Sequence, residues 1–157
     1  MEIPKIDNPT LYILIGVPGC GKSTWAKKHF EKNVGVCVSS DTIRKVIFRN
    51  ENDQSHNPEV FKIAHHVIKQ WLNSDDDVVF DATNIHKRYR EQLIKEVLFE
   101  VNKPVRFVAI YFDTPIETCI ARQELRDRKV PAKVIQKMAR QMEKPTFEEG
   151  FDIIKTI

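Results

Sequence analysis

The sequence predicts an α/β fold: one domain with a five-stranded parallel sheet, helices on both faces and a helical lid. Three observations carry this expectation. Short apolar runs alternate with stretches of helical spacing from residue 11 to the end. The runs are apolar throughout rather than alternating with polar residues, as in strands covered on both faces. The 157 residues suffice for one cored domain and not comfortably for two, so residues 1–157 read as a single domain with the lid at about 115–144.

Residues 1–9, polar with two prolines, form a lead-in. Residues 11–15 (LYILI) make the first strand. A glycine loop follows, then a helix from Lys22 to about Lys32 that Asn33 and Gly35 end. Residues 34–38 (VGVCV) make the second strand. Ser39-Ser40-Asp41 starts a helix that begins near Asp41 and runs to about Arg49, and 51–58 is a polar turn. Pro58 opens a third helix with Val60, Ile63, Ala64, Val67, Ile68, Trp71 and Leu72 on one face. Trp25 and Trp71 are expected in the core, and His65 and His66 at or near the surface. Asp75 to Asp77 break the helix before the third strand, 78–80. A helix at about 87–101 stops at Asn102 and Pro104, and 105–112 is the fourth strand. Pro115 fits a first helical turn capped by Asp113 or Thr114. That helix frays near 126–129, Pro131 opens another to about Lys144, and residues 151–157 close the sheet.

The net charge of +3 permits an anionic substrate without requiring nucleic acid. Cys20, Cys37 and Cys119 have no metal-ligand spacing and read as reduced thiols of a cytoplasmic protein. Residues 1–10 do not form a signal peptide, and no apolar run approaches membrane-spanning length. The oligomeric state is left open.

Residues 16–23, GVPGCGKS, fit the P-loop pattern at every fixed position. Gly16, Pro18, Gly19, Cys20 and Gly21 are the candidate phosphate-binding residues, the glycines letting the backbone turn its N–H groups inward around a phosphate, with Thr24 just beyond, in the first helical turn. At Cys20 the backbone N–H is expected to matter and the sulfur not. Lys22 can reach the outer phosphates and the Ser23 hydroxyl can ligate Mg²⁺. The implied ligands are ATP and Mg²⁺.

In such a fold, ligands bind beyond the carboxyl ends of the strands. Behind the second strand, Asp41 and Arg44 are three apart and share a helix face. Asp41 can accept a hydroxyl proton and Arg44 can fork a substrate phosphate, or Asp41 merely caps the helix and Arg44 is solvated. Behind the third strand stand Asp81, Thr83 and Asn84. Asp81 can steady Mg²⁺ through water or orient Arg44, and a turn-and-cap role is the plainer alternative. The run from His86 to Arg90, with Arg88 and Tyr89, lines an acceptor groove or is a solvated helix start. Arg122 and Arg126, four apart on a predicted helix, can close over a triphosphate or form a charged surface.

Taken together, GVPGCGKSTWA (16–26), SSDTIR (39–44), VVFDATN (78–84), FDTP (112–115) and the Arg122/Arg126 pair resemble the kinase domain of 5′-hydroxyl polynucleotide kinases. These are the phage end-healing enzymes and the kinase module of bacterial RNA-repair proteins. ENDQ (51–54) and the QM before Lys144 look like the bacterial form, and the likeness spans about residues 10–151. It implies transfer of the ATP γ-phosphoryl to a 5′-hydroxyl end of DNA or RNA. Lys22 and Ser23 would hold phosphates and Mg²⁺, and Asp41 would be the general base. Arg44 would grip the acceptor's 3′-side phosphate, and Asp81 would support the acceptor site. Arg122 and Arg126 would be lid arginines, with Arg126 on the donor phosphates. The loop after Arg126 departs in length from the bacterial form, so Arg128 could share that role. Phosphatase (D-x-D-x-T) and nucleotidyltransferase (K-x-D-G) signatures are absent, so 3′-end processing or ligation is expected of a separate phosphatase or ligase. The alternative acceptors are a small metabolite, nucleotide or drug, or the substrate of a zeta-toxin-like kinase.

Overall fold

In the computed structural model, which describes residues 2–32 and 35–157, the strands are β1 (Thr10–Ile15), β2 (Val36–Ser39), β3 (Val78–Asp81), β4 (Arg106–Tyr111) and β5 (Ile153–Thr156). The helices are α1 (Lys22–Lys32), α2 (Ser40–Phe48), α3 (Asn57–Asn73), α4 (Lys87–Glu100), α5 (Ile116–Glu124) and α6 (Ala132–Gln141). Asn33 and Val34, expected at the end of α1 and the start of β2, lie outside the described residues.

The strands pair in the order β2-β3-β1-β4-β5, and every pairing is parallel. The chain leaves β1 toward one edge and later crosses it to build the other. Side chains alternate along β1. Leu11, Ile13 and Ile15 join Ala64, Ile68 and Leu72 of α3 and Leu93, Ile94 and Val97 of α4. Tyr12 and Leu14 face the opposite side, with Ala26 of α1, Cys119 of α5 and Ile135 of α6. Full burial of each large aliphatic side chain is worth about 1.5–3 kcal/mol, so this two-sided layering fixes the strand ends relative to one another.

Several local expectations change. Trp71 is 41% exposed, because α3 turns Val60, Ala64, Ile68 and Leu72 inward and Trp71 falls beside that stripe. Trp25 is half-buried against the second core layer. Neither Asp113 nor Thr114 caps α5: Pro115 takes that position without a side-chain bond. The last strand is shorter than 151–157, because a 3-10 turn, Phe147–Glu149, precedes it and the Asp152 carboxylate accepts from Phe107 N at 2.8 Å.

That 3-10 turn also accounts for Arg90, which the sequence leaves in a groove or a solvated helix start. Arg90 is fully buried: Nε donates to Glu149 Oε1 at 2.6 Å and Nη2 to Oε2 at 3.0 Å. Its Nη1 donates to Asn84 O at 2.8 Å. Glu149→Ala would leave this guanidinium without its counter-charge, and removing one partner of a buried pair costs about 3–5 kcal/mol. Urea unfolding is expected to show a loss of that size, and a loss below about 1 kcal/mol would mean that water replaces the carboxylate.

Candidate active site

The loop after β1 is clamped by its neighbours. Gly19 has φ 85°, and a Cβ there would lie 2.4 Å from Cys119 O, so only glycine fits. Gly16 N donates to Thr83 O at 3.0 Å, Thr114 Oγ1 to Cys20 O at 2.9 Å, and Arg122 Nη1 to Gly19 O at 3.3 Å. Lys22 starts α1 and is nearly buried. Its Nζ donates to Gly16 O at 2.9 Å and Val17 O at 3.0 Å, with Cys20 Sγ at 3.6 Å. The Cys20 sulfur, expected to be idle, therefore packs against the loop lysine. Burial pushes the Cys119 thiol beneath the loop up, with Cys20 acting in the same sense and Arg122 and Lys22 opposing, so it stays a packing thiol.

β2 and β3 end level, with Ser39 opposite Asp81. Asp81 Oδ2 accepts from Ser23 Oγ at 2.8 Å and is not bonded to Arg44, which removes the orienting role. A hydroxyl and a carboxylate in contact beside a phosphate cradle are a hard-oxygen donor pair that fits Mg²⁺, which takes one or two protein oxygens beside substrate phosphates.

α2 begins at Ser40 rather than Asp41. Ser39 caps it, its Oγ accepting from Thr42 N at 3.3 Å. Asp41 is thus released from capping and turns to two guanidiniums. Arg44 Nη1 donates to Oδ1 at 2.9 Å and Arg128 Nη1 to Oδ2 at 2.8 Å. Arg44 is buried, and its Nη2 donates to Asn57 Oδ1 at 2.7 Å, while Asn57 Nδ2 donates to Gln54 Oε1 at 2.9 Å. The buried Arg44 Nε has no partner among the described residues. Arg128 is also held by Asn52 Oδ1 at 2.7 Å and Glu51 O at 3.1 Å.

These groups meet in a cleft of about 410 Å³ lined by Lys22, Ser23, Asp41, Arg44, Asp81 and Thr83. Pro18, Gly19 and Gly21 form its floor, and Val130, Val134 and Met138 its lid side. A second hollow of about 500 Å³ lies on the other side of the loop, walled by Cys20, Thr24, Trp25, Thr114, Arg122 and Ile157. Gly19, Gly21 and Arg126 line both. Arg126 is therefore the one side chain longer than glycine at the junction. It does not share a helix face with Arg122, because α5 stops at Glu124. Arg128 lines only the first cleft.

Two expected substrate contacts are elsewhere. Asn84 has φ 48°, and its Nδ2 donates to Leu14 O at 2.8 Å, which makes it a turn residue. Arg88 is exposed and folds over Tyr89, with Cζ 4.6 Å from the ring centroid, outside both hollows. Sequence reasoning missed Asn57, which read only as part of a polar turn, and gave no role to Gln54, which entered only as part of the ENDQ resemblance. It also missed Gln123, buried on α5, whose Oε1 accepts from Val130 N at 3.3 Å across the arginine loop. The signal for Gln123 is its spacing of four from Cys119, on the buried face of α5.

The chain belongs to the AAA domain family, whose model matches residues 11–145. It is 27% identical over 150 residues to the L-seryl-tRNA(Sec) kinase of Methanococcus maripaludis, covering 91% of this chain and 56% of that protein. A chain of the Pnkp1/Rnl/Hen1 RNA repair complex superposes with TM-score 0.70 at 22% identity, covering 87% of this chain and 45% of the other. A gluconokinase from Sinorhizobium meliloti superposes with TM-score 0.61 at 19% identity, covering 95% and 82%. The chain thus spans about half the length of the first two. This kinship shows the family and the fold, and leaves the reaction and its acceptor undetermined.

Proposed function

We propose that this AAA-domain protein transfers the γ-phosphoryl group of ATP to the 5′-hydroxyl end of a polynucleotide. The observation that carries the reading is the pairing of Asp41 with a buried Arg44 in the same cleft as Lys22, Ser23 and Asp81. Arg44 is held by Asp41 and Asn57 and keeps one N–H unpartnered. A buried unpaired donor costs about 1–3 kcal/mol, and a phosphate oxygen of the acceptor would satisfy it.

The chemistry then follows from the residues. The loop backbone and Lys22 bind the donor phosphates, and Arg126 meets the γ-phosphoryl between the two hollows. Ser23 and Asp81 would hold Mg²⁺, which would supply charge neutralisation to the phosphates. The acceptor hydroxyl displaces Arg128 at Asp41 Oδ2 and gives its proton to that oxygen. Its oxygen bonds to the γ-phosphorus as the bond to the β-γ bridging oxygen breaks, and ADP leaves. Arg122 steadies the loop through Gly19 O.

A second reading, a kinase of a small metabolite, is favoured by one observation. The cleft of about 410 Å³, with Val134 and Met138 on one wall, is of small-molecule size. Labelled ATP offered with 5′-hydroxyl oligonucleotides, nucleosides and sugar acids separates the two. The proposal expects label on the oligonucleotides; label confined to a metabolite would replace it with the second reading.

A further inference from the structure

The lid helix carries a row of cations that the transfer chemistry does not use. Lys129, Lys133, Lys137, Arg140 and Lys144 recur at intervals of four, four, three and four, and all are exposed. Lys133, Lys137 and Arg140 lie on α6 and return to one side of it at 3.6 residues per turn, while Lys129 precedes the helix and Lys144 follows it. None of the five has an ion-pair or hydrogen-bond partner among the described residues. Three lysines elsewhere are ion-paired, Lys69 with Glu100 at 2.5 Å, Lys103 with Asp75 at 2.7 Å and Lys87 with Glu91 at 3.8 Å; what sets this row apart is its alignment beside the cleft.

The surrounding charge is lopsided. Residues 122–144 hold eight Lys or Arg against three Asp or Glu, a net of +5 in a chain of net +3, so the rest sums to −2. The helix dipole favours Arg140, in the last turn of α6, but not Lys133. α6 has no acid in its first turn, and Lys133 stands there instead, at the end where the dipole disfavours a cation. The row also borders the acceptor cleft. Lys129 itself lines that cleft, and Lys133 and Lys137 each precede a cleft-lining residue, Val134 and Met138. From Lys133 to Arg140 the helix rises about 10 Å, so the three cations are spread along the helix axis rather than gathered at one point.

We infer that the outer face of α6 is a track for the phosphodiester backbone of the acceptor strand, gripping nucleotides downstream of the reacting end without reading their bases. The inference rests on the polynucleotide reading of the cleft and deepens it. Phosphates fit the row because their charge repeats along a line, as the cations do.

The test compares wild type with the triple variant K133Q/K137Q/R140Q. The sites are exposed and glutamine is a good helix former, and an unchanged circular dichroism melt confirms the fold. Binding of a fluorescent single-stranded 20-mer is followed by anisotropy across a salt series, beside transfer to the 20-mer and to a nucleoside 3′-phosphate. Three lost phosphate contacts should weaken 20-mer binding about tenfold or more and flatten the log–log salt slope by about 2. Transfer to the nucleoside 3′-phosphate should stay within about twofold, since the reacting cleft is untouched. Unchanged 20-mer affinity and slope in the variant would overturn the track, whether or not the wild type transfers. Equal losses on the 20-mer and the nucleoside 3′-phosphate would overturn it too, as would tighter wild-type binding to phosphatidylserine vesicles than to the 20-mer. A wild type that binds the 20-mer through these cations, yet phosphorylates no 5′-hydroxyl, would overturn the proposed function and leave the track standing.

Discussion

Asp41→Asn is expected to slow transfer to a 5′-hydroxyl oligonucleotide by about 10²–10⁴-fold, the range that a positioned general base supplies, with ATP affinity nearly unchanged. The geometry makes the base assignment specific. Ser39 takes the capping role, so the Asp41 carboxylate is free to face the cleft, and Arg44 fixes its Oδ1 at 2.9 Å. Asparagine keeps the shape and the acceptor oxygen toward Arg44 but cannot accept the hydroxyl proton. Calorimetric titration with a non-hydrolysable ATP analogue checks the binding half of the prediction, and single-turnover transfer checks the other. A variant that turns over normally would return Asp41 to a structural role beside Arg44.

Arg126→Ala is expected to lower kcat by about 10³-fold or more, the effect of removing an arginine from a phosphoryl-transfer transition state, while the acceptor KM moves little. Arg126 is the non-glycine side chain common to both hollows, and its guanidinium has no partner among the described residues. It is thus available for charge that develops midway between donor and acceptor. Arg128 differs, because it is committed to Asp41, Asn52 and the Glu51 carbonyl on the acceptor side. Arg128→Ala should therefore act chiefly on the acceptor KM. Steady-state kinetics on both variants tells the two arginines apart, and a kcat loss confined to Arg128→Ala would exchange their roles.

What could be read from the chain was local chemistry. The glycine loop, with Lys22 and Ser23, lies in eight consecutive residues, and its strand and helix flanks are adjacent. Asp41 and Arg44 lie within one helical turn, so their shared face follows from the helix period. The parallel sheet followed from apolar runs with no polar alternation. What stayed hidden depends on chain segments meeting in space. Arg90 and Glu149 are 59 residues apart, and Arg128 and Asp41 are 87 apart. No periodicity reports such pairings, and an arginine destined for a buried carboxylate looks like its solvated neighbour Arg88. Asn84 misled for another reason. An asparagine that takes a positive φ and bonds a strand carbonyl has the same letter as one that binds substrate, and only its backbone angle separates them. Helix ends mattered as well: α5 stops at Glu124, two residues before the arginine that its period was expected to aim.

A 5′-hydroxyl acceptor is distinguished by incubating the protein, Mg²⁺ and γ-labelled ATP with two oligonucleotides of one sequence, one with a free 5′-hydroxyl and one with a 5′-O-methyl group. Label on the 5′ end of the first and none on the second is the predicted result. Label on neither, from protein that still binds ATP, would contradict it.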